Sequence, residues 1–263
     1  MVYAGCDIGA RVVKAVVIKD GDLVGLAKRE INGALEKVTK DVLKEALTPT
    51  GLSLRHISVL GMTGREARAV RFFRVFMPKL RLSPEELCIA KAIHKLDPNV
   101  RTVIDIGALG FKVISVDQDG HPVDVIVNDK CASGGGRFLE GVSKSMEVDL
   151  HDMGILAMES KDPCIITNQC VVFAESEVIS LVNKGVDKKD ILAGITSALA
   201  AQIASAAKRV SLVKDITFIG GSSKNQGIYY YLEKNLEVEL KKISLDPQFV
   251  SAYGAAIALN GTR

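Results

Sequence analysis

"DIGARVVKAVVIKDG" (residues 7–21) and "DIGALGFKVISVDQDG" (residues 105–120) are two versions of one pattern. Asp-Ile-Gly-Ala recurs at an offset of 98 residues, and a lysine follows each Asp at the seventh position, Lys14 and Lys112. An apolar run precedes each Asp (VYAGC and RTVI), and an Asp-Gly pair closes each segment at 20–21 and 119–120. This spacing predicts strand, tight turn, strand and a second hairpin turn. Gly9 and Gly107 allow the backbone to approach a ligand closely or to take positive φ. Asp7 and Asp105 end their strands and point into the turns. Two such hairpins offer backbone N–H groups for phosphate and two carboxylates for Mg²⁺, held directly or through water. One copy would equally describe an ordinary hairpin with a solvent-facing aspartate. Two in register, about a hundred residues apart, favour a duplicated nucleotide-binding fold. Lys14 and Lys112 are read either as phosphate contacts or as solvent-facing strand lysines.

A third glycine element follows. DITFIGGSSKNQGIYYYLEKNL (215–236) reads as an apolar strand, then Gly220-Gly221, then a helix. The glycines leave room for an adenosine or a phosphate, and a helix N-terminus favours negative charge. FVSAYGAAIALNG (249–261) reads as a small-residue helix. The order of hairpin, helices, hairpin, helices, Gly-Gly turn and C-terminal helix resembles the actin/Hsp70/sugar-kinase ATPase architecture. That α/β fold has two RNase H-like halves around a nucleotide. The expected division is 1–98 for the first half, 99–245 for the second, and 246–263 for a helix returning to the first.

The 263 residues suit two domains, and a 48% hydrophobic content is enough for two cores. A net charge of +3 with no long basic stripe argues against nucleic acid. The densest basic patch, REARAVRFFR (65–74), reads as a solvated helix face. No uninterrupted apolar run reaches the roughly 18 residues of a membrane span, and ILAGITSALAAQIASAA (191–207) reads as a buried helix. The N-terminus lacks the features of a signal peptide, so a cytoplasmic location is expected.

The five cysteines, at 6, 88, 131, 164 and 170, form no C-x-x-C motif. A disulfide framework and a zinc ribbon are therefore not expected. Cys131 lies in NDKCASGGGRFLE (128–140) and Cys170 in NQCVVFAESEVISLV (168–182), each ahead of a helix-like run. A helix N-terminus lowers a thiol pKa and favours thiolate. Cys131 is thus open to three readings: cluster ligand, packing thiol or nucleophile. The last lacks a base, because none of the four histidines forms a motif with either cysteine. Cys6 reads as strand packing, Cys88 as helix packing and Cys164 as a weaker ligand candidate.

The runs DKCASGGGRFLE and CVVFAESEVISL resemble the BadF/BadG/BcrA/BcrD ATPase family, which comprises the ATP-dependent activators of 2-hydroxyacyl-CoA dehydratases and the ATP-binding subunits of benzoyl-CoA reductase. The resemblance spans nearly the whole chain. It implies that Cys131 and Cys170 supply half the ligands of a [4Fe–4S] cluster shared across a dimer. It implies ATP with Mg²⁺ near Asp7, Gly9, Ala10, Arg11, Lys14, Asp105, Gly107 and Ala108, with Gly220 and Gly221 bordering the adenosine. It further implies a ferredoxin-like donor and an Fe–S reductase or dehydratase partner acting on an acyl-CoA. Two departures stand out. Ala10-Arg11-Val12 replaces the hydroxyl-bearing residues usual after the first Asp-x-Gly, and Ala108-Leu109-Gly110 replaces a Gly-Gln-Asp. The second departure resembles one of the ATP-binding subunits of benzoyl-CoA reductase and favours that type, with a related subunit as dimer partner and slowed ATP turnover. A dehydratase activator, a sugar or small-molecule kinase and a cluster-free scaffold are the alternatives.

Overall fold

The computed structural model describes residues 1–70, 79–128, 135–166, 171–210 and 215–258, with the side chains of 171–175 left aside. Residues 1–8 form the central strand of the first sheet because VYAGCDI is apolar on both faces. β1 (Val2–Ile8) pairs antiparallel with β2 (Val12–Lys19) on one side and parallel with β4 (Val59–Thr63) on the other. A strand buried on both faces reads as a continuous apolar run. β3 (Asp22–Glu30) follows β2 through Asp20 and Gly21, both at positive φ (53° and 102°), as a two-residue hairpin turn requires. With β5 (Leu80–Leu82) the order is β3-β2-β1-β4-β5. Helix α1 (Leu35–Leu47) buries Val38, Val42, Leu43, Ala46 and Leu47 against β2 and β3, one face at helical spacing.

Two further helices complete this unit. α2 (Glu85–Leu96) packs against the helix Val250–Ile257, numbered α8 by its place in the chain, which also lies on β1. The approach leaves no space for side chains at two glycines. A Cβ on Gly254 would lie 1.8 Å from the Cys88 carbonyl oxygen, and one on Gly5 1.9 Å from that of Ala252.

The second sheet repeats the first. β6 (Thr102–Ile106) is wholly buried, pairs antiparallel with β7 (Phe111–Val116), and pairs parallel with β9 (Ile216–Gly220). β8 (Pro122–Asn128) completes the order β8-β7-β6-β9. The loop between β7 and β8 is longer than the two-residue Asp-Gly turn expected. Asp117 Oδ1 accepts from the N–H groups of Asp119 and His121 across it, and Gly120 takes φ 73°.

Around this sheet lie α3 (Gly136–Met146), α4 (Met153–Met158), α5 (Val171–Asn183), α6 (Lys188–Arg209) and α7 (Gln226–Leu236). α6 is long and apolar enough to cross a membrane, but 67% of its most apolar window is buried. Its Ile191, Ile195, Leu199 and Ile203 stand in the core with Ile104, Ile106, Val113 and Phe218 from the strands. The expected helix at 65–74 is absent from its first part: Ala67–Ala69 is a 3₁₀ turn, Ala67 and Val70 are buried, and 71–74 lie outside the described residues.

Two compact units result. One holds Met1–Asn99, Val116–Pro122 and Ile243–Arg263; the other holds Val100–Ser115 and Val123–Lys242.

Candidate nucleotide and cluster site

Each DIGA segment forms the same turn. In the first, the Gly9 N–H donates to the Val12 carbonyl (3.2 Å); in the second, the Gly107 N–H donates to the Gly110 carbonyl (2.9 Å). These two glycine amides therefore close their own turns, and the amides of Ala10, Arg11 and Ala108 follow them in the chain.

Asp7 is the last residue but one of β1 and is 3% exposed. Hairpin register places it opposite Lys14, whose Nζ lies 2.7 Å from Asp7 Oδ2 with a side chain only 17% exposed. Lys14 thus belongs to the turn and not to the solvent. A Cβ on Gly9 would lie 3.3 Å from that Nζ, so the ammonium sits directly beside the turn. Arg11, part-exposed, lies 3.5 Å from Glu30. In the second unit Asp105 is 9% exposed and its register partner is Lys112, the same pairing as Asp7 with Lys14.

The parallel strand beside each Asp supplies a residue that sequence reasoning missed in one of the two units. β4 runs into Gly64 at φ 95°, where a Cβ would lie 2.4 Å from Asp7 Oδ1 and 2.6 Å from the Ile8 carbonyl oxygen. β9 runs into Gly220 at φ 87°, where a Cβ would lie 2.6 Å from Asp105 Oδ1 and 2.4 Å from the Ile106 carbonyl oxygen. Gly64 and Gly220 are equivalent. SVLGMTGRE and DITFIGGSS carry the signal, an apolar strand ending in glycine, but without an identical tetrapeptide to draw the eye. Gly220 is therefore required by its neighbouring strand, whatever ligand it borders. Gly221 is exposed and begins a 3₁₀ turn, and the helix expected directly after the glycines starts only at Gln226, capped by the Asn225 side chain on the Ile228 N–H (3.0 Å).

Cys131 and Cys170 lie outside the described residues. The helices that follow them are present: α3 starts at Gly136 and α5 at Val171. The start of α3 is joined to the second DIGA turn. The Gly136 N–H donates to the Gly107 carbonyl (2.9 Å) and the Arg137 N–H to that of Ala108 (3.0 Å). A Cβ on Gly135 would meet the Gly110 nitrogen at 2.5 Å and the Ala108 oxygen at 2.6 Å. The later glycines of CASGGG therefore serve a backbone-to-backbone contact.

Of the other three cysteines, Cys6 and Cys88 are buried and Cys164 is part-exposed. Burial pushes Cys88 up to about 12, and Cys6 is raised by burial and then by the Asp7 charge. Cys164 is raised by burial and by Asp190 and Asp162. Asp117, Asp119 and His121 cluster at the surface, where Lys91 Nζ lies 2.9 Å from His121 Nε2 and 3.0 Å from the Asp119 carbonyl oxygen.

Residues 4–258 match one family description, the BadF/BadG/BcrA/BcrD ATPases. The chain belongs to this family. The crystal structure of the Acidaminococcus fermentans (R)-2-hydroxyglutaryl-CoA dehydratase component A is 34% identical, with a TM-score of 0.90 over 98% of this chain and 97% of that one. The Clostridioides difficile 2-hydroxyisocaproyl-CoA dehydratase activator, solved with bound ADPNP, is 32% identical, with a TM-score of 0.87 over 98% and 94%. A Thauera aromatica benzoyl-CoA reductase subunit is 27% identical over 97% of this chain and 92% of that protein. The fold is the actin/Hsp70/sugar-kinase type, shared at 13% identity (TM-score 0.59) with a hexokinase from Thermus thermophilus.

Proposed function

We propose that this protein is an ATP-hydrolysing activator that delivers low-potential electrons to an Fe–S enzyme acting on an acyl-CoA. One observation carries the reading: the second carboxylate turn is hydrogen-bonded, through Gly107 and Ala108, to the helix that follows Cys131. A nucleotide held at the turn thereby acts directly on the start of the helix that follows Cys131 in the chain.

Asp7 and Asp105 position Mg²⁺ and the attacking water. Asp7 is a buried carboxylate with Thr63 beside it in register, and these oxygen donors suit a hard cation once Lys14 yields the carboxylate. Backbone amides at Ala10, Arg11 and Ala108 hold phosphate oxygens, Lys14 adds charge, and Gly220 and Gly221 border the adenosine. Cys131 and Cys170 supply thiolates from the segments that precede α3 and α5, whose N-terminal dipoles favour negative charge. A [4Fe–4S] cluster takes four thiolates, so two chains are needed; when bound, it stores the electron between donor and partner. ATP is required because a CoA thioester needs an electron below ordinary ferredoxin potentials, roughly −400 mV.

The relatives' identities weigh toward a dehydratase activator, 32–34% against 27% for the benzoyl-CoA reductase protein. This reverses the preference drawn from Ala108-Leu109-Gly110. Those residues still support the second reading, a heterodimer with a related subunit. A ferredoxin-like donor and a cytoplasmic location complete the proposal.

The test is anaerobic purification of the chain alone. The expected protein is a brown dimer with about two irons per chain, a band near 400 nm and ATPase activity, and Cys131→Ser or Cys170→Ser is colourless. A coloured Cys131→Ser variant would remove the ligand assignment. An iron-free monomer that acquires iron only with a second subunit would establish the heterodimer.

A further inference from the structure

The first turn already holds a cation. Asp7 is almost fully buried, and a buried carboxylate needs a counter-charge. Lys14 supplies it at 2.7 Å on Oδ2. The other oxygen, Oδ1, faces Gly64, where even a Cβ would lie at 2.4 Å. The accessible side of the carboxylate is thus the one the ammonium occupies. The same ammonium lies against Gly9, within the turn that would receive a phosphate.

From this we infer that Lys14 is a positioning residue that occupies the cation position of Asp7 and so makes divalent-metal binding there conditional on nucleotide. The inference rests on the nucleotide reading of the turns. An ammonium and a divalent ion cannot share one carboxylate edge, because they repel at contact distance and claim the same oxygen. A metal ion alone must displace Lys14 against that repulsion, with the ammonium still confined beside Gly9. A nucleotide removes that obstacle: its phosphates give Lys14 an anion beside Gly9 to replace Asp7, and Asp7 is released to the metal. The chain therefore binds metal and nucleotide together and holds little free metal in between. No bond is made or broken in this exchange; it is a change of ion-pair partner.

The probe is Mn²⁺, titrated into the full chain and followed by the loss of the free-ion EPR signal, with and without ADPNP. Wild type is expected to bind Mn²⁺ at least ten-fold more tightly with ADPNP than without. Lys14→Met is expected to show one Mn²⁺ site without nucleotide, at least ten-fold tighter than wild type under the same condition, and Lys14→Met/Asp7→Asn to lose it. Lys14→Arg keeps the charge and is expected to behave as wild type. Mn²⁺ is also expected to raise the melting temperature of Lys14→Met and not that of wild type. Should Lys14→Met not fold, Lys14→Gln gives the same reading. A folded Lys14→Met or Lys14→Gln that binds Mn²⁺ no better than wild type overturns the proposal. So does a wild type that binds Mn²⁺ equally well with and without ADPNP. Failure of ADPNP to bind wild type by calorimetry would instead sink the nucleotide reading, while the nucleotide-free Mn²⁺ titrations of the Lys14 variants would still decide what the lysine does.

Discussion

At the residue scale two buried carboxylates, Asp7 and Asp105, each lie against a positive-φ glycine, Gly64 and Gly220. Asp7→Asn is expected to keep the fold and lower ATPase turnover about 10²–10³-fold, in line with removal of one preorganised electrostatic group; steady-state hydrolysis measures it. Gly64→Ala and Gly220→Ala each force a side chain into a positive-φ position against a carboxylate. A destabilisation of about 1–3 kcal/mol is expected for each, read from urea midpoints. Cys88 gives a pH dependence whose sign follows from its raised value, about 12 in the fold. An unfolded thiol ionises near pH 8.5. The contribution is therefore complete below about pH 8.5 and is lost as pH rises toward 12, because only the unfolded chain releases its proton in that window. Urea midpoints between pH 8 and 11 should fall, and Cys88→Ala should flatten the slope. At this scale the sequence was legible where residue identity repeats. The Asp-Ile-Gly-Ala pairs revealed themselves, and Lys14 opposite Asp7 follows from hairpin register. Gly64 did not, because its need for glycine comes from Asp7 Oδ1 and the Ile8 carbonyl, which a parallel strand brings close from more than fifty residues away.

At the scale of elements, glycine sets how closely backbones pass. α8 runs so close to α2 that a Cβ on Gly254 would lie 1.8 Å from the Cys88 carbonyl oxygen. Gly254→Ala should cost about 3 kcal/mol or more, since neither helix backbone gives way as a flexible side chain would; equilibrium unfolding tests this. The start of α3 on the Gly107–Gly110 turn is the other close pass. Gly135→Ala should part α3 from the turn. In the cluster-loaded protein the cluster's spectrum is then expected to stop responding to ATP, while Cys131 still ligates. An ATP response equal to that of wild type would mean that the junction carries no coupling. Helix identity was legible from apolar and small-residue runs in α6 and α8, but not at 65–74, where Ala67–Ala69 is a 3₁₀ turn. The Asp-Gly turn after β7 and the Gly-Gly-to-helix step were read too simply. Asp117 builds a five-residue loop in the first case, and a 3₁₀ turn capped by Asn225 intervenes in the second.

For the whole molecule, each unit has a sheet whose central strand takes one antiparallel and one parallel neighbour and carries a carboxylate beside a glycine. This duplication was written in the chain, because the core strands must be apolar on both faces and the turn must carry the same four residues wherever it recurs. The sequence alone therefore determined the two hairpins, the repeated carboxylates, the helix starts after Cys131 and Cys170, and the family. Tertiary structure decided what lies against each carboxylate. It brought Gly64 and Gly220 to equivalent places and laid the head of α3 on the second turn. Those contacts join residues far apart in the chain through parallel register and helix packing. A pattern read along one segment carries no information about which distant backbone comes within three ångströms of it.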